Sequence, residues 1–228
     1  LIIVVAMGYT RQSAAIGLAL IAFLYLEKKS LPGFIWWILL ATMFHKTAII
    51  LIVAAIMIIQ DAKTIFNKII TFSLIVMASI GLFYTFLAPR LDFFIYGYED
   101  QAMQSQGAGI RVAMVVLPAL LLIVYQNRFG LKSAQKYLWL GLAYLSMACL
   151  AALFMLKSST IVDRLALYCI PLQGLVAARI ADAKIFKISP RSLTLCIISF
   201  ALVIQFVWLN YAVTAFAWLP YDNLLFRL

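Results

Sequence analysis

Long apolar runs separated by short polar connectors make up nearly the whole chain. The runs lie at 12–26, 34–59, 69–88, 111–125, 138–156, 165–181 and 193–213. A transmembrane α-helix needs about 20 mostly apolar residues, and most of the runs approach or reach that length. Because backbone polar groups must be satisfied inside the lipid, spanning segments of this length are helical. The pattern therefore predicts an all-α fold, a polytopic integral membrane helical bundle.

The composition agrees with a lipid environment. Of the 228 residues, 66% are hydrophobic and 11% are charged, and the mean hydropathy is +1.06. Soluble domains are nearer half apolar and a quarter charged. We expect a single transmembrane domain over residues 1–228. Residues 1–8 are too few to span a bilayer, so we expect them to end a helix that begins earlier, with this chain as the C-terminal portion of a longer membrane protein.

The net charge of +10 comes mainly from the connectors between the runs. Lys and Arg are concentrated in 27–33, 60–68, 126–137 and 182–192. Cytoplasmic loops of membrane proteins carry such an excess, so we place these connectors in the cytoplasm. There they face the anionic inner leaflet and not nucleic acid. The longer loop at 89–110, the connector 157–164 and the tail from about 214 are then external.

The run 34–59 contains the single histidine of the chain, His45, followed by Lys46 in the stretch "LLATMFHKTA". Both ends of this run carry cytoplasmic signals, so it cannot simply cross the membrane once. At about 1.5 Å per residue it is long enough for two half-helices. We predict a re-entrant or broken helix pair with its break near "MFHKT", at the outer face. The alternative is one long tilted helix, with 27–33 external.

Three arginines lie at the predicted outer ends of helices, level with His45: Arg11, Arg111 and Arg164. Cations gathered on the side of the membrane that disfavours them suggest an anionic ligand. The guanidinium fork suits phosphate, because it donates two parallel hydrogen bonds and stays charged. Structural interpretations are also open. Arg111 would mark a helix end, and His45 would be a satisfied core residue. Asp163 would cap a helix or pair with Arg164.

The sequence contains none of the motifs that hold nucleotides or catalytic metals. There is no P-loop, no glycine-rich dinucleotide turn, no HExxH and no DxD-like acidic pair in an external loop. We therefore expect no cofactor, and a bound diphosphate would be neutralised by arginine and not by magnesium. Cys149, Cys169 and Cys196 lie in or beside apolar runs without metal-binding spacing, which predicts buried thiols.

Four stretches, in order and spacing, resemble the EpsG/Wzy group of polysaccharide polymerases. The first is "YTRQSAAIGLALIAFLYLEKKS", where an Arg-Gln pair opens a helix, and the second is "LLATMFHKTAIIL", which carries a Phe-His-x-Ser/Thr-Ala motif. "DRLALYCIPLQGL" (163–175) resembles the later arginine-led helix of that group, and "WLPYDNLLF" (218–226) its C-terminal Pro-Tyr segment. The resemblance spans essentially the whole chain. Thr47 stands where serine is common in the group.

The resemblance implies an enzyme, a glycosyltransferase acting at the outer face of the bacterial inner (cytoplasmic) membrane. Such an enzyme transfers a growing glycan from undecaprenyl diphosphate to the non-reducing end of a lipid-linked repeat unit. Its partners would be the lipid-linked oligosaccharide donor and acceptor, the lipid bilayer, a chain-length regulator and a flippase. The alternatives are an O-antigen ligase, which uses the same donor, and a lipid-linked oligosaccharide flippase or other transporter.

The residues and the resemblance meet at glycosyl transfer with a lipid diphosphate as leaving group. His45 is the catalytic candidate, as general base, because its unperturbed titration falls near neutral pH. Direct displacement would invert the anomeric configuration. The candidates for binding the diphosphate are Arg11, Arg164 and Arg111. The candidates for supporting residues are Gln12, Lys46, Tyr168 and Tyr221, of which Tyr168 is expected one helical turn from Arg164.

If the run 34–59 folds back, its two ends lie in the cytoplasm and its middle faces outside. In a variant lacking the native cysteines, a membrane-impermeant thiol reagent applied from outside should label cysteines introduced at His45 and at Asp100. It should leave cysteines at Lys29 and Thr64 unlabelled until the membrane is permeabilised. Labelling of position 29 from outside would contradict the re-entrant arrangement.

Overall fold

A computed structural model describes residues 9–55, 104–105, 107–212 and 215–217, together with six isolated positions between 73 and 84. All regular structure in this part of the chain is helical, so the all-α prediction is confirmed. The α-helices are α1 (Thr10–Glu27), α2 (Leu31–Phe44), α3 (Ala108–Val124), α4 (Ser133–Met155), α5 (Ser159–Ala166), α6 (Ile170–Arg179) and α7 (Pro190–Tyr211). The 3-10 helices are Lys46–Ala55, Leu167–Cys169 and Ala215–Ala217. The connector 60–68, most of the loop 89–110 and Tyr221 lie outside the described residues.

Several of these helices have the length and composition of membrane spans. Three are long and apolar enough to cross a bilayer: Gln135–Met155, Ser159–Arg179 and Pro190–Tyr211. None of the residues of α7 is buried, and its Cys196 is exposed, so the expectation that all three thiols are buried is wrong for this one. Exposed apolar side chains along a whole helix are those of a lipid-facing surface. The chain is a membrane protein.

The helices α1 and α2 form an antiparallel hairpin closed by the basic connector. Lys29 adopts the left-handed conformation (φ 57°) that commonly ends a helix. Along one face of α1, small residues are buried at Ala15, Ala19 and Ala22. Small side chains let helix backbones approach closely, and this packing drives helix association in lipid. The hairpin therefore returns the end of α2 to the level at which α1 begins.

The predicted break in the run 34–59 is present. The helix α2 ends at Phe44, His45 is extended (φ −146°, ψ 114°), and a 3-10 helix follows over Lys46–Ala55. A single continuous helix is therefore wrong. Leu51 and Ile52 pack into the same core cluster as residues of α1 and α2, so the segment returns along the hairpin. Runs of 3-10 helix longer than a few residues are uncommon and often mark a functional or strained position.

Three of the basic connectors, 27–33, 126–137 and 182–192, meet at one end of the described bundle. Three side chains tie them together. Gln135 donates to a carboxylate oxygen of Glu27 (3.3 Å), Arg128 to the carbonyl of Lys184 (3.2 Å) and Arg179 to the carbonyl of Phe129 (3.1 Å). The connector predicted at 157–164 is correspondingly shorter at the opposite end, because α5 begins at Ser159.

The close contact of α1 with α2 gives a stability test at Gly33. A Cβ added there would overlap the ring of Tyr25, which also packs against Trp37 with ring centroids 6.4 Å apart. Gly33→Ala should therefore lower the free energy of unfolding by about 1–3 kcal/mol, the usual cost of overpacking. Equilibrium unfolding of the detergent-solubilised protein would measure it.

Gly17→Ala is the matched control, because a Cβ at Gly17 meets nothing within 4 Å. Alanine is the better helix former, so this variant should be neutral or slightly more stable. Equal stabilities of Gly33→Ala and the unchanged protein would show that the hairpin is not packed as described.

Candidate functional site

Four parts of the chain meet at the end of the bundle opposite the basic connectors: the start of α1, the break after α2, the start of α3 and the helix α5. The antiparallel hairpin places the first two together, since the first residues of α1 lie at the same end of the bundle as the last residues of α2. The α1 start carries Arg11 and Gln12, the break carries His45, and α5 carries Arg164. Residues far apart in sequence are thus brought to one place.

The His45 pocket contains two hydroxyl groups. The Nδ1 of His45 lies 2.7 Å from the Oγ1 of Thr47 and 3.2 Å from the hydroxyl of Tyr168. The two hydroxyl oxygens lie 3.1 Å from each other. Tyr168 is 2% exposed and packs in the core cluster of the hairpin. The imidazole is therefore held through Nδ1, and its Nε2 is not used by these partners.

Tyr168 is placed by an irregularity between α5 and α6. Pro171 has no N–H to continue the α-helical ladder, and the chain forms a 3-10 turn over Leu167–Cys169 before α6 begins. The expected one-turn spacing from Arg164 is thus modified by this turn. Both residues nevertheless approach His45, Tyr168 through a hydrogen bond and Arg164 through its charge.

Two positive charges act on His45. Partial burial lowers the pKa of His45, and the nearby guanidinium groups of Arg164 and Arg11 lower it further, to about 4. Arg11 is exposed and Arg164 is partly buried. At neutral pH the imidazole is therefore uncharged and the site carries the charge of the arginines, which favours an anionic ligand.

Gln12 connects the helices that carry the two arginines. It is 2% exposed, and its Nε2 donates a hydrogen bond to the backbone carbonyl of Arg164. The carbonyl can only accept, so the amide nitrogen must face it. The amide therefore holds the start of α1, including the neighbouring residue Arg11, against α5. Its Oε1 is buried without a partner among the described residues.

Arg111 has a different environment from the other two arginines. Its Nε and Nη2 donate to the two carboxylate oxygens of Asp163, at 2.6 and 2.8 Å. Asp163 is 1% exposed and also accepts from the hydroxyl groups of Ser105 (2.9 Å) and Tyr9 (3.3 Å). The interpretation of Asp163 as a helix cap is wrong, since Ser158 is the N-cap of α5.

The end of the loop 89–110 is fastened to the start of α5. Gln104 donates to the carbonyl of Lys157 (2.7 Å) and accepts from the hydroxyl of Ser159 (2.7 Å). The backbone N–H of Ser105 donates to the same hydroxyl (2.9 Å). Sequence reasoning missed Ser105 and Ser159, because nothing in either stretch signals that the two would meet.

The structure thus separates the predicted site residues into groups. His45, Arg11, Gln12, Arg164 and Tyr168 come together, and Lys46 is partly buried directly after His45. Arg111 is instead in the ion pair with Asp163. Thr47 was noticed only for its departure from serine, and its contact with His45 was missed. A hydroxyl residue two positions after a histidine at a helix break could have indicated this contact, because such side chains form local hydrogen bonds.

Removing the carboxylate of Asp163 should destabilise the protein strongly. Asp163→Ala leaves Arg111, which is only 22% exposed, without its counter-charge. Breaking one side of a buried pair costs on the order of 3 kcal/mol in the free energy of unfolding. Equilibrium unfolding in detergent would measure the loss.

Asp182→Ala is the control, because Asp182 is exposed in a basic connector and exposed substitutions stay within about 0.5 kcal/mol. Replacing both partners, with Asp163→Leu and Arg111→Met, should lose less than the sum of the single changes. Additive losses would show that the pair is not coupled.

Comparison with known proteins adds one match to this geometry. The model of the EpsG family matches residues 1–223, a range that includes every site residue described above. No curated protein and no solved structure matches the chain. A family match over nearly the whole length is independent of the contacts described here. The chain belongs to the EpsG family.

Proposed function

We propose that the protein is a glycosyltransferase that polymerises lipid-linked oligosaccharide repeat units. Membership of the EpsG family indicates a membrane protein of the polysaccharide polymerase type. In the proposed reaction, a growing glycan is transferred from undecaprenyl diphosphate to the non-reducing end of a new lipid-linked unit, at the outer face of the bacterial inner membrane. The observation that carries the proposal is the convergence of Arg11 and Arg164 on His45 at a helix break.

The charge balance of the site supports a diphosphate as its ligand. Asp163 is the one acidic residue described beside the site, and its carboxylate oxygens are engaged by Arg111. The charges of Arg164 and Arg11 both act on His45. Guanidinium groups bind phosphate oxygens with two parallel hydrogen bonds, and their effect is largest where water is excluded. We propose that they, and no metal ion, neutralise the diphosphate.

The proposed transfer is a direct displacement without a covalent enzyme intermediate, so the main requirement is to stabilise the negative charge that develops on the leaving diphosphate. The acceptor hydroxyl forms a new bond to the anomeric carbon, and the bond from that carbon to the diphosphate oxygen breaks. The electron pair of the broken bond leaves with the diphosphate, and His45, as general base, takes the proton of the acceptor hydroxyl. Direct displacement inverts the anomeric configuration. The arginines stabilise the charge that develops on the leaving group.

Reconstitution into liposomes with a synthetic undecaprenyl diphosphate oligosaccharide tests the proposal. A ladder of products differing by one repeat unit should appear on a gel, and it should persist in excess chelator. Transfer only onto an added lipid A-core acceptor would identify a ligase. Movement of the substrate across the bilayer without a change in its length would identify a flippase. A requirement for magnesium would contradict neutralisation by the arginines.

The arginine variants test the proposed binding mode. Arg164→Lys keeps the charge but loses the two-pronged geometry, so it should weaken donor binding and slow turnover on the order of 100-fold. Arg11→Ala should act in the same direction, because it would contact the same diphosphate. Binding to labelled undecaprenyl diphosphate and initial rates would separate the two effects.

Arg191→Ala is the matched control, since Arg191 is exposed at the start of α7, at the opposite end of the bundle. It should bind the donor and polymerise as the unchanged protein does. Normal donor binding by both Arg164→Lys and Arg11→Ala would place the diphosphate elsewhere.

A further inference from the structure

A cavity of about 270 Å³ lies between the end of α6 and the start of α7, at the end of the bundle that carries the basic connectors. It is lined by Ile180 just after α6, by the connector between the two helices and by Leu193 of α7. Both helices belong to segments that are long and apolar enough to cross a bilayer, Ser159–Arg179 and Pro190–Tyr211. A connector as short as 180–189 must therefore lie at the membrane surface, and the cavity lies there with it.

The connector presents large apolar side chains at this surface. Ile185 lines the cavity and packs against the core cluster that contains the buried residues of α6. Phe186 and Ile188 also line the cavity, and both are exposed. Aromatic and aliphatic side chains exposed beside the end of a membrane span are accommodated by the lipid interface, whereas exposure to water would be unfavourable. The cavity therefore offers apolar contacts to a molecule of the bilayer.

The same cavity is positively charged. Among the described residues that line it are two exposed lysines, Lys184 and Lys187, and no acid. Neither lysine has an ion-pair partner in the described part of the chain, and Asp182, the one acid of the connector, lies outside the lining. The backbone that carries Lys184 is held in place, because its carbonyl accepts a hydrogen bond from Arg128 (3.2 Å). The guanidinium of Arg128 adds a further positive charge beside the cavity.

We propose that this cavity binds one anionic phospholipid of the surrounding leaflet. Its phosphate would lie between Lys184 and Lys187, and its acyl chains would contact Phe186 and Ile188. Basic pockets beside membrane spans bind anionic head groups, and in the predicted topology this face is the anionic cytoplasmic leaflet. The site lies at the opposite end of the bundle from His45, so it is separate from the proposed site of glycosyl transfer.

A bound lipid would stabilise the attachment of α7 to the bundle. None of the residues of α7 is buried, and its Leu193 and Ile197 are only partly buried against the neighbouring core cluster. A ligand that contacts both the connector and Leu193 adds contacts that the protein itself does not supply there. Because a ligand bound to the folded state stabilises it by mass action, anionic phospholipid should also raise the melting temperature of the detergent-solubilised protein.

Native mass spectrometry of the full chain in a neutral detergent, titrated with phosphatidylglycerol, tests the proposal. We expect a saturable lipid adduct that forms at a lower lipid concentration than the adduct with zwitterionic phosphatidylcholine of the same acyl chains. Equal binding of the two lipids would overturn the preference for an anion. Glycerol phosphate offers the phosphate without the acyl chains and should bind much more weakly. Equally tight binding of glycerol phosphate would show a site for a soluble phosphate and not for a lipid.

Two double variants separate a site in the cavity from attraction to the basic surface as a whole. Lys184→Gln with Lys187→Gln should weaken phosphatidylglycerol binding by about 30-fold, the effect of removing two charges beside an anionic lipid. Lys28→Gln with Lys132→Gln is the matched control, because it removes two exposed lysines from other basic connectors at the same end of the bundle, outside the cavity. The control should bind the lipid as the unchanged protein does. The same loss in both double variants would overturn the proposal.

A further variant tests the cavity without changing its charge. Ala181 lines the cavity and is partly buried, so the indole of Ala181→Trp would occupy part of the space. This variant should weaken phosphatidylglycerol binding by about tenfold or more, because the added bulk excludes the lipid. Thermal unfolding without lipid would establish that it is folded. Undiminished binding by folded Ala181→Trp would place the lipid elsewhere. These measurements need no polymerisation, so they decide the lipid site whether or not the proposed function holds.

Discussion

Inside a bilayer there is no water to satisfy a polar group, and this constraint decides where the helix after α1 can be interrupted. The break at His45 exposes backbone groups and an imidazole within an otherwise apolar run. It is tolerated because the hairpin packs closely around it, through the small residues Ala15 and Ala19, and because Thr47 and Tyr168 lie within hydrogen-bond distance of the Nδ1 of His45. The position of the break is thus the position of the site.

The same constraint sorts the charged residues. Asp163 is buried and is neutralised by Arg111 through two hydrogen bonds, which fixes α5 against the start of α3. Gln12 uses its amide on the backbone of Arg164 and so fixes α5 against α1. The charges of Arg164 and Arg11 act on His45. The ion pair of Asp163 and Arg111 thereby builds the frame that holds α5 beside His45.

Sequence patterns predicted the helices better than the contacts between them. The run 193–213 appears as α7 over Pro190–Tyr211, shifted because Pro190 begins a helix that the apolar pattern alone cannot detect. The helix that was predicted to begin at 165 begins at Ser159. The charge of Asp163 is typical of a loop, and the sequence does not show that Arg111, 52 residues away, pairs with it inside the bundle. The break near His45 could be predicted because basic connectors flank both ends of the run 34–59, a pattern that is visible in one stretch of the sequence. Its contact with Tyr168 spans 123 residues and required the fold.

The central claim is that a diphosphate binds between the arginines and His45. Burial and the charges of Arg164 and Arg11 lower the pKa of His45 to about 4, and an anion bound beside those charges must offset their effect. NMR titration of the single histidine, without ligand and with saturating undecaprenyl diphosphate, measures this directly. The pKa of His45 should be higher with the diphosphate bound than without it. An unchanged pKa with the diphosphate demonstrably bound would contradict it.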